Sequence, residues 1–265
     1  MPHLHINTTN TARLPRLYVS TDTLFLPSLK QGDSCPLTAA QAHYLGTVLR
    51  RQSGDYVRVF NASVGEWLAC IIELRKEKGC LTLERCLRAP NTTPSSLKLA
   101  FALLKRDATD LALRMGTELG VTEFIPTITD RTNTHSLNLK RLTTITIEAA
   151  EQCERLDIPT ITAPISLTSL LNTWPIQQTL FAAIERLETP YSSQNFALNN
   201  KVKKGDGLLI GPEGGLTLRE CHLLQQYHFV IPLSLGSYIL RADTAIAAGL
   251  TLIAHYLRLR DISAE

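Results

Sequence analysis

The chain reads as an α/β protein built in two parts: a small β-rich unit over residues 14–90, and a parallel sheet layered with helices over residues 97–265. Three observations predict this. Short, alternating apolar runs crowd the first part; from Leu97 onward apolar strands alternate with amphipathic helices; and Ala89-Pro-Asn-Thr-Thr-Pro-Ser-Ser96 between them is polar and closed at both ends by proline, which places a linker at 91–96. With 265 residues, 44% of them apolar, there is enough side-chain volume for a real core.

In the first part, Leu17–Val19 and Thr23–Leu26 read as short strands. Thr38–Arg51 reads as one helix, with Thr38 as N-cap and Ala42, Leu45, Val48 and Leu49 facing inward. Ser53-Gly-Asp55 turns into the alternating run Tyr56–Phe60, and Trp67–Leu74 pairs with Cys80–Leu87 across a turn at Lys76–Gly79. The sum is a small barrel. Residues 1–90 hold eleven Lys and Arg against seven Asp and Glu, whereas residues 91–265 hold 16 against 17. The positive excess of the chain therefore sits in its first third, where a polyanion such as RNA would be met. Arg16, Arg50, Arg51 and Arg58 are the candidate phosphate contacts, although an arginine pair closing a helix also suits the helix dipole.

In the second part, Leu97–Leu104 is the first strand and Arg106–Leu119 a helix ended by Gly120 at C′. Val121–Ile128 returns as a strand, and Asp130–Thr134 is a polar loop. Leu139–Cys153 is a second helix with Glu148, Glu151, Gln152 and Arg155 at its C-terminal end. Carboxylates there oppose the helix dipole and suggest a functional reason. Ile158–Ile165, Thr179–Ile184 and Gly207–Ile210 are further strands, and 187–206 is a polar loop.

Two loops carry the chemistry. Leu208-Leu-Ile-Gly-Pro-Glu-Gly-Gly-Leu-Thr-Leu-Arg-Glu220 is an apolar strand that breaks into a glycine-rich turn and restarts as a helix under a capping box, Thr217 with Glu220. Three glycines remove Cβ atoms and Pro212 stiffens the turn, so a ligand can approach main chain. The spacing is neither a dinucleotide fingerprint nor a P-loop. Phe229–Ala245 repeats the plan: a strand, a loop with Gly236, then a helix over Asp243–Leu257 that is apolar almost all round and must be buried in the core or against another subunit. Arg241 at its start is a costly cation unless paired or used on a substrate, whereas an arginine snorkelling to the surface costs little; the neighbouring loop favours the role on substrate. Six cysteines without a C-x-x-C pair signal neither a zinc site nor a redox motif, and read as buried free thiols. No run approaches the ~18 apolar residues of a membrane span, and the first twenty lack the apolar stretch of a signal peptide, so a cytoplasmic address is expected.

A resemblance adds to this. His43-Tyr-Leu-Gly-Thr-Val-Leu-Arg50, Gly54-Asp55, Phe60-Asn61, Glu118–Thr122, Arg131, Glu148-Ala-Ala-Glu-Gln152 with Arg155 and Pro159, Ile210–Gly215 with Glu220, and Leu235-Gly236 through Ile239-Leu-Arg241 to Thr244-Ala245 stand in one order across most of residues 14–255. In them the chain resembles the SPOUT-class RNA methyltransferases, and among these the RsmE-type 16S rRNA uridine N3-methyltransferases. The resemblance implies an N-terminal PUA-like β-barrel for rRNA and a C-terminal domain with a trefoil knot. It also implies a homodimer, S-adenosylmethionine as cofactor, and 16S rRNA within the small ribosomal subunit as substrate.

Carried over, the cofactor site is Gly211, Pro212, Glu213, Gly214 and Gly215 from the first loop, then Leu235, Gly236, Ile239, Leu240 and Ala245 from the second, with Ala183 and Ile184 as a third wall. Arg241 is the expected electrostatic catalyst and Arg131 the second candidate, with Glu148 or Glu151 holding the arginines. Tyr238 stands where the family usually has a basic residue, and Asp243 where it has glutamate. The competing readings are a fold retained for RNA binding without catalysis, and a related enzyme acting on tRNA or a ribose hydroxyl.

Overall fold

A computed structural model describes residues 8–20, 29–90, 96–132, 137–184 and 202–263. The chain divides into two units, Met1–Pro94 with Glu151–Asp157, and Ser95–Ala150 with Ile158–Glu265.

The first unit is a five-stranded sheet in the order β1 (Arg16–Tyr18), β3 (Tyr56–Asn61), β4 (Gly65–Leu74), β5 (Gly79–Arg88), β2 (Ser34–Leu37). Only β1 and β3 run parallel. Register shifts between β4 and β5 at Glu66/Trp67, Leu68/Ala69 and Ile71/Glu73 bend the ladder, as bulges do. Leu17, Val57, Val59, Ile71, Leu81 and Leu83 fill the core. Among the described residues β1 and β2 remain edges and the predicted small barrel is seen as a curled sheet; the expected strand Thr23–Leu26 lies outside the described residues. Strand β2 was not foreseen because Pro36 argues against a strand, and an edge is where a sheet tolerates proline.

The expected helix is shorter and changes pitch. Helix α1 (Ala39–His43) starts at a capping box of Thr38 and Gln41, then widens into a π-helical turn over Tyr44–Val48. Ala42 and Leu45 are fully buried as their spacing predicts, but the wider turn rotates Val48 out to 60% exposure.

A buried carboxylate organises the charged groups of this unit. Glu66, 1% exposed, takes Arg16 Nε at 2.8 Å, Arg58 Nη1 at 3.3 Å and Arg88 Nη1 at 3.4 Å. The Arg16 guanidinium lies 3.5 Å from the centre of the Phe60 ring, and its Nη2 donates to the Arg155 carbonyl. Arg58 also pairs with Glu154 at 2.9 Å. Burial pulls Arg16 below its ordinary value, a shift opposed by its bond to Glu66. Arg16 and Arg58 are thus removed as phosphate contacts: at 5% and 8% exposure their charges are spent inside the unit.

The second unit is an all-parallel sheet ordered β12 (Val230–Leu233), β10 (Leu180–Ala183), β11 (Gly207–Ile210), β6 (Leu97–Ala102), β7 (Val121–Ile128), β8 (Thr160–Ile161), with β9 (Ile165–Ser166) also on β7. Its central strands are buried on both faces, which is why they read as continuous apolar runs. Two short strands replace the single strand expected over Ile158–Ile165. The ladder is interrupted opposite Ile125–Pro126, where Pro126 on one side and Pro164 on the other both lack an N–H to donate. The helices are α2 (Arg106–Glu118), ended by Gly120 at φ 94°, α3 (Leu139–Gln152), α4 (Leu167–Thr173), α5 (Leu218–Gln225) and α6 (Ala242–Ser263). Helix α4 was not foreseen; Ser166 caps it by accepting from the Ser169 N–H. Helix α6 buries one stripe, Ala242, Ala245, Ile246, Leu250, Ile253 and Leu257, while Thr244, Thr251 and His255 are exposed, so it is not apolar on every side. Most of the expected 187–206 loop lies outside the described residues.

Candidate active site at the carboxyl edge of the parallel sheet

Three neighbouring strands end level with one another. Ala183 at the end of β10 is in register with Ile210 on β11 and with Leu233 on β12. All three run the same way, so the segments that follow, Ile184, Gly211–Thr217 and Ser234–Arg241, leave the sheet side by side at its carboxyl edge. That edge is where open parallel sheets bind ligands.

The first loop is fixed at both ends. Gly215 donates its N–H to the Pro212 carbonyl at 2.8 Å and holds φ 69°, a conformation that favours glycine. Beyond it, the buried carboxylate of Glu220 accepts from the Thr217 N–H at 2.8 Å and from the Asp130 N–H at 2.8 Å, and Thr217 Oγ1 donates to Asp130 Oδ2 at 3.0 Å. Arg131 Nη1 donates to the Gly214 carbonyl at 2.5 Å. Thr129 and Thr132 hold the Asp130-Arg131 turn, their hydroxyls 2.8 Å apart. The capping box read from the sequence is therefore half of a larger fastening, whose other half comes from the end of β7.

The second loop is open. Gly236 has φ 129°, and no atom lies within 4 Å of where a Cβ would stand. Among the described residues no hydrogen bond engages the main-chain N–H groups of Leu235, Gly236, Ser237, Tyr238, Ile239 or Leu240. Tyr238 is 84% and Ile239 61% exposed, while Leu235 and Leu240 are half-buried. Such a loop offers donors and apolar surface to something that is not protein.

Arg241 closes this loop, its carbonyl accepting the Ala245 N–H as the first bond of α6. Its side chain is exposed, so the expected cost of a buried cation does not arise. The carboxylates expected to hold the arginines do not: among the described residues neither Arg131 nor Arg241 forms an ion pair, Glu148 is exposed on α3, and Glu151 Oε1 accepts from the Tyr18 N–H at 3.0 Å in the first unit. Among the described residues no group of His, Cys, Asp and Glu could hold a metal. Asp130 is the site residue that sequence reasoning left without a role in fastening the loop; it lies 90 positions from Glu220, and the capping box of Thr217 and Glu220 gave no sign of it.

Comparison with known proteins agrees with this geometry. A family model described as an RNA methyltransferase domain matches residues 91–254, and one described as an RNA methyltransferase PUA domain matches residues 37–84. The ribosomal RNA small subunit methyltransferase E of Rickettsia conorii is 39% identical over 203 residues, covering 77% of this chain and 82% of the relative. The chain belongs to the ribosomal RNA small subunit methyltransferase E family. The Synechocystis member is 36% identical over 220 residues, 82% of this chain and 71% of its own. Among solved structures, Legionella pneumophila Lpg2936, in complex with the bound cofactor SAM, superposes with a TM-score of 0.78 at 27% identity, covering 92% of this chain and 98% of that one. The fold is shared too with the family member of Neisseria gonorrhoeae, bound to S-adenosyl methionine, at a TM-score of 0.75, 24% identity and the same coverage.

Proposed function

We propose that the chain transfers a methyl group from S-adenosylmethionine to N3 of a uridine in the 16S rRNA of the small ribosomal subunit. The observation that carries this reading is the common register of Ala183, Ile210 and Leu233, which brings two glycine loops to the same sheet edge on either side of the β10 end in a chain of this family.

The residues present fit the cofactor. Unspent main-chain N–H groups at Leu235–Leu240 suit the polar edge of an adenine, Ile239 and Leu240 can cover its faces, and Gly211–Gly215 lets the rest of the molecule approach main chain. Ala183, Ile184, Pro212, Glu213, Gly236 and Ala245 complete the assigned set. When bound, the sulfonium supplies an electrophilic methyl group.

The remaining task belongs to the protein. A neutral uracil N3 has no lone pair available until its proton is lost, so the site must favour the anion. Arg241 is exposed at the positive end of α6, and guanidinium and helix end together stabilise negative charge spreading onto the pyrimidine oxygens. The reacting edge is the Watson–Crick edge, so the target base must leave its RNA context. The trefoil knot belongs to this reading, supported by the placement of β10 between β11 and β12. So does the homodimer: half-buried Leu252 and Tyr256 and exposed Leu259 on α6 are a surface that a second copy would cover. No helix among the described residues is long and apolar enough to cross a membrane, and a cytoplasmic address is part of the proposal.

The test is transfer of labelled methyl to bare 16S rRNA and to assembled small subunits, followed by nucleoside analysis. Label in N3-methyluridine is expected. Absence of incorporation favours RNA binding without catalysis, and label in another nucleoside overturns the substrate assignment.

A further inference from the structure

The π-helical turn of the first unit ends in a conformation that needs explaining. Leu49 closes the turn by donating its N–H to the Tyr44 carbonyl at 2.9 Å, and the Arg51 N–H donates to the Leu45 carbonyl at 2.8 Å. Between them Arg50 stands in the left-handed region at φ 53°, the position after a helix that glycine usually fills. An exposed arginine held there at a backbone cost points to a use for its side chain. π-turns themselves recur at functional sites.

Beside this turn lies a depression of about 370 Å³, with Ala42, Gly46 and Leu74 as apolar lining and Thr47, Gln52, Ser53, Arg51, Arg75 and Lys76 as polar lining. Arg75 is shared with Glu73 at 2.7 Å, whereas Arg51 and Lys76 have no ion pair among the described residues. The Nε of Arg51 is shielded from solvent without a hydrogen-bond partner, an unusual state for a guanidinium nitrogen. Asp55, the nearby carboxylate on the turn, is already engaged by the Gln52 N–H at 2.9 Å. Tyr44, on the same π-turn, is 38% exposed.

We propose that this depression is a seat for one backbone phosphate of the RNA: Arg51 and Lys76 meet the charge, Thr47 and Ser53 offer hydroxyl donors, Arg50 grips the adjoining phosphate, and Tyr44 offers a face for the neighbouring base. The proposal rests on reading the chain as one that acts on RNA. It replaces a diffuse basic surface by a built site, and it assigns the strain at Arg50 to RNA binding.

The test compares R50G, a double variant R51A/K76A, and R85A, which removes an exposed charge from β5 in the same unit. Binding of a fluorescein-labelled 20-nucleotide RNA is followed by anisotropy from 50 to 200 mM salt. The double variant should bind ~10-fold more weakly at 100 mM salt, with a salt slope shallower by ~1 to 2. R50G should bind ~3-fold more weakly while its melting temperature stays within ~2 °C of the parent or above it, since glycine relieves the left-handed backbone.

Equal losses in R85A and the double variant would mean diffuse charge and overturn the seat, as would full RNA affinity in R50G. Titration of isotope-labelled protein with uridine 5′-monophosphate reads the seat without RNA binding: amide shifts at residues 46–53 and 74–76 are expected. Shifts there with no RNA binding make it a small-anion site and reject the RNA assignment, and no shifts with intact RNA binding reject the seat. Methyl transfer is scored separately, so failure of the catalytic reading leaves these outcomes decisive.

Discussion

Arg131 donates from Nη1 to the main-chain carbonyl of Gly214, 83 residues further along the chain. With the Asp130 N–H on Glu220 and Thr217 Oγ1 on Asp130 Oδ2, the turn after β7 holds the glycine loop at three points. A Cβ at Gly214 would stand 3.4 Å from Arg131 Cδ, an ordinary contact, so this bond does not itself require glycine.

We propose from this contact that Arg131 acts on the loop rather than on the reacting base. R131A should raise KM for S-adenosylmethionine about tenfold, with kcat at saturating cofactor within about twofold of the parent, because uniform binding is what a misplaced loop loses. R131K should recover part of the affinity by reaching the same carbonyl with one donor. Steady-state kinetics with calorimetry of cofactor binding decide it; a fall in kcat at unchanged affinity would return Arg131 to the chemistry.

Arg241 should behave in the opposite way. R241A is expected to lower kcat by about 10² to 10³, the range found when a single charge-stabilising donor is removed, and to leave cofactor affinity within about threefold. Its exposure argues that folding will not suffer. Near-normal turnover in this variant would remove the assigned role.

Glu66 is the clearest single point of failure in the first unit. E66Q takes from Arg16 its buried carboxylate partner and leaves Arg58 to share charge with Glu154 alone, and breaking a buried pair of this kind costs about 3–5 kcal/mol. Urea unfolding should show the loss. E66D tests geometry: its shorter reach should cost less than the charge loss, and an unchanged midpoint in E66Q would mean that the arginines are satisfied by their other partners, the Arg155 and Ala12 carbonyls and Glu154.

The cysteines divide by burial, not as the uniformly buried set their spacing suggested. Cys86 and Cys153 are exposed, Cys35 and Cys221 buried. Burial, helped by Cys80, pushes the Cys35 thiol up to about 11, so it is protonated at every ordinary pH and becomes nucleophilic only above that value. Burial and Glu220 raise Cys221 as well. Timed alkylation at pH 8 with mass spectrometry should therefore modify Cys86 and Cys153 first and Cys35 last.

What the sequence disclosed was whatever is decided locally. Thr217 and Glu220 announce a capping box because both partners lie within one helical turn, and Gly211–Gly215 announces main-chain access because it needs no distant partner. The strands of the parallel sheet were legible from their unbroken apolar runs. Arg16 and Arg58 were misread because the carboxylate that buries them sits 50 and 8 residues away, and charge counting sees only the sign. Val48 was misplaced by a change of helical pitch that no periodicity announces, and β2 by a proline that only its edge position excuses. The contact of Arg131 with Gly214 spans 83 residues and four intervening strands, so nothing along the chain could have foretold it.

The order of the parallel sheet also dictates when the site comes into being. Leu99 on β6 is in register with Leu208 on β11, and Leu180 on β10 with Val230 on β12, so each of the loops that flank the cofactor hangs on a pairing of distant segments. Such pairings form late, because closing a long stretch of chain must precede any gain from it. Arg241 follows every strand of the sheet in the chain. On a translating ribosome the first unit can therefore finish folding and meet RNA while the second still lacks its last strand, which makes methyl-transfer competence the final property the nascent protein acquires.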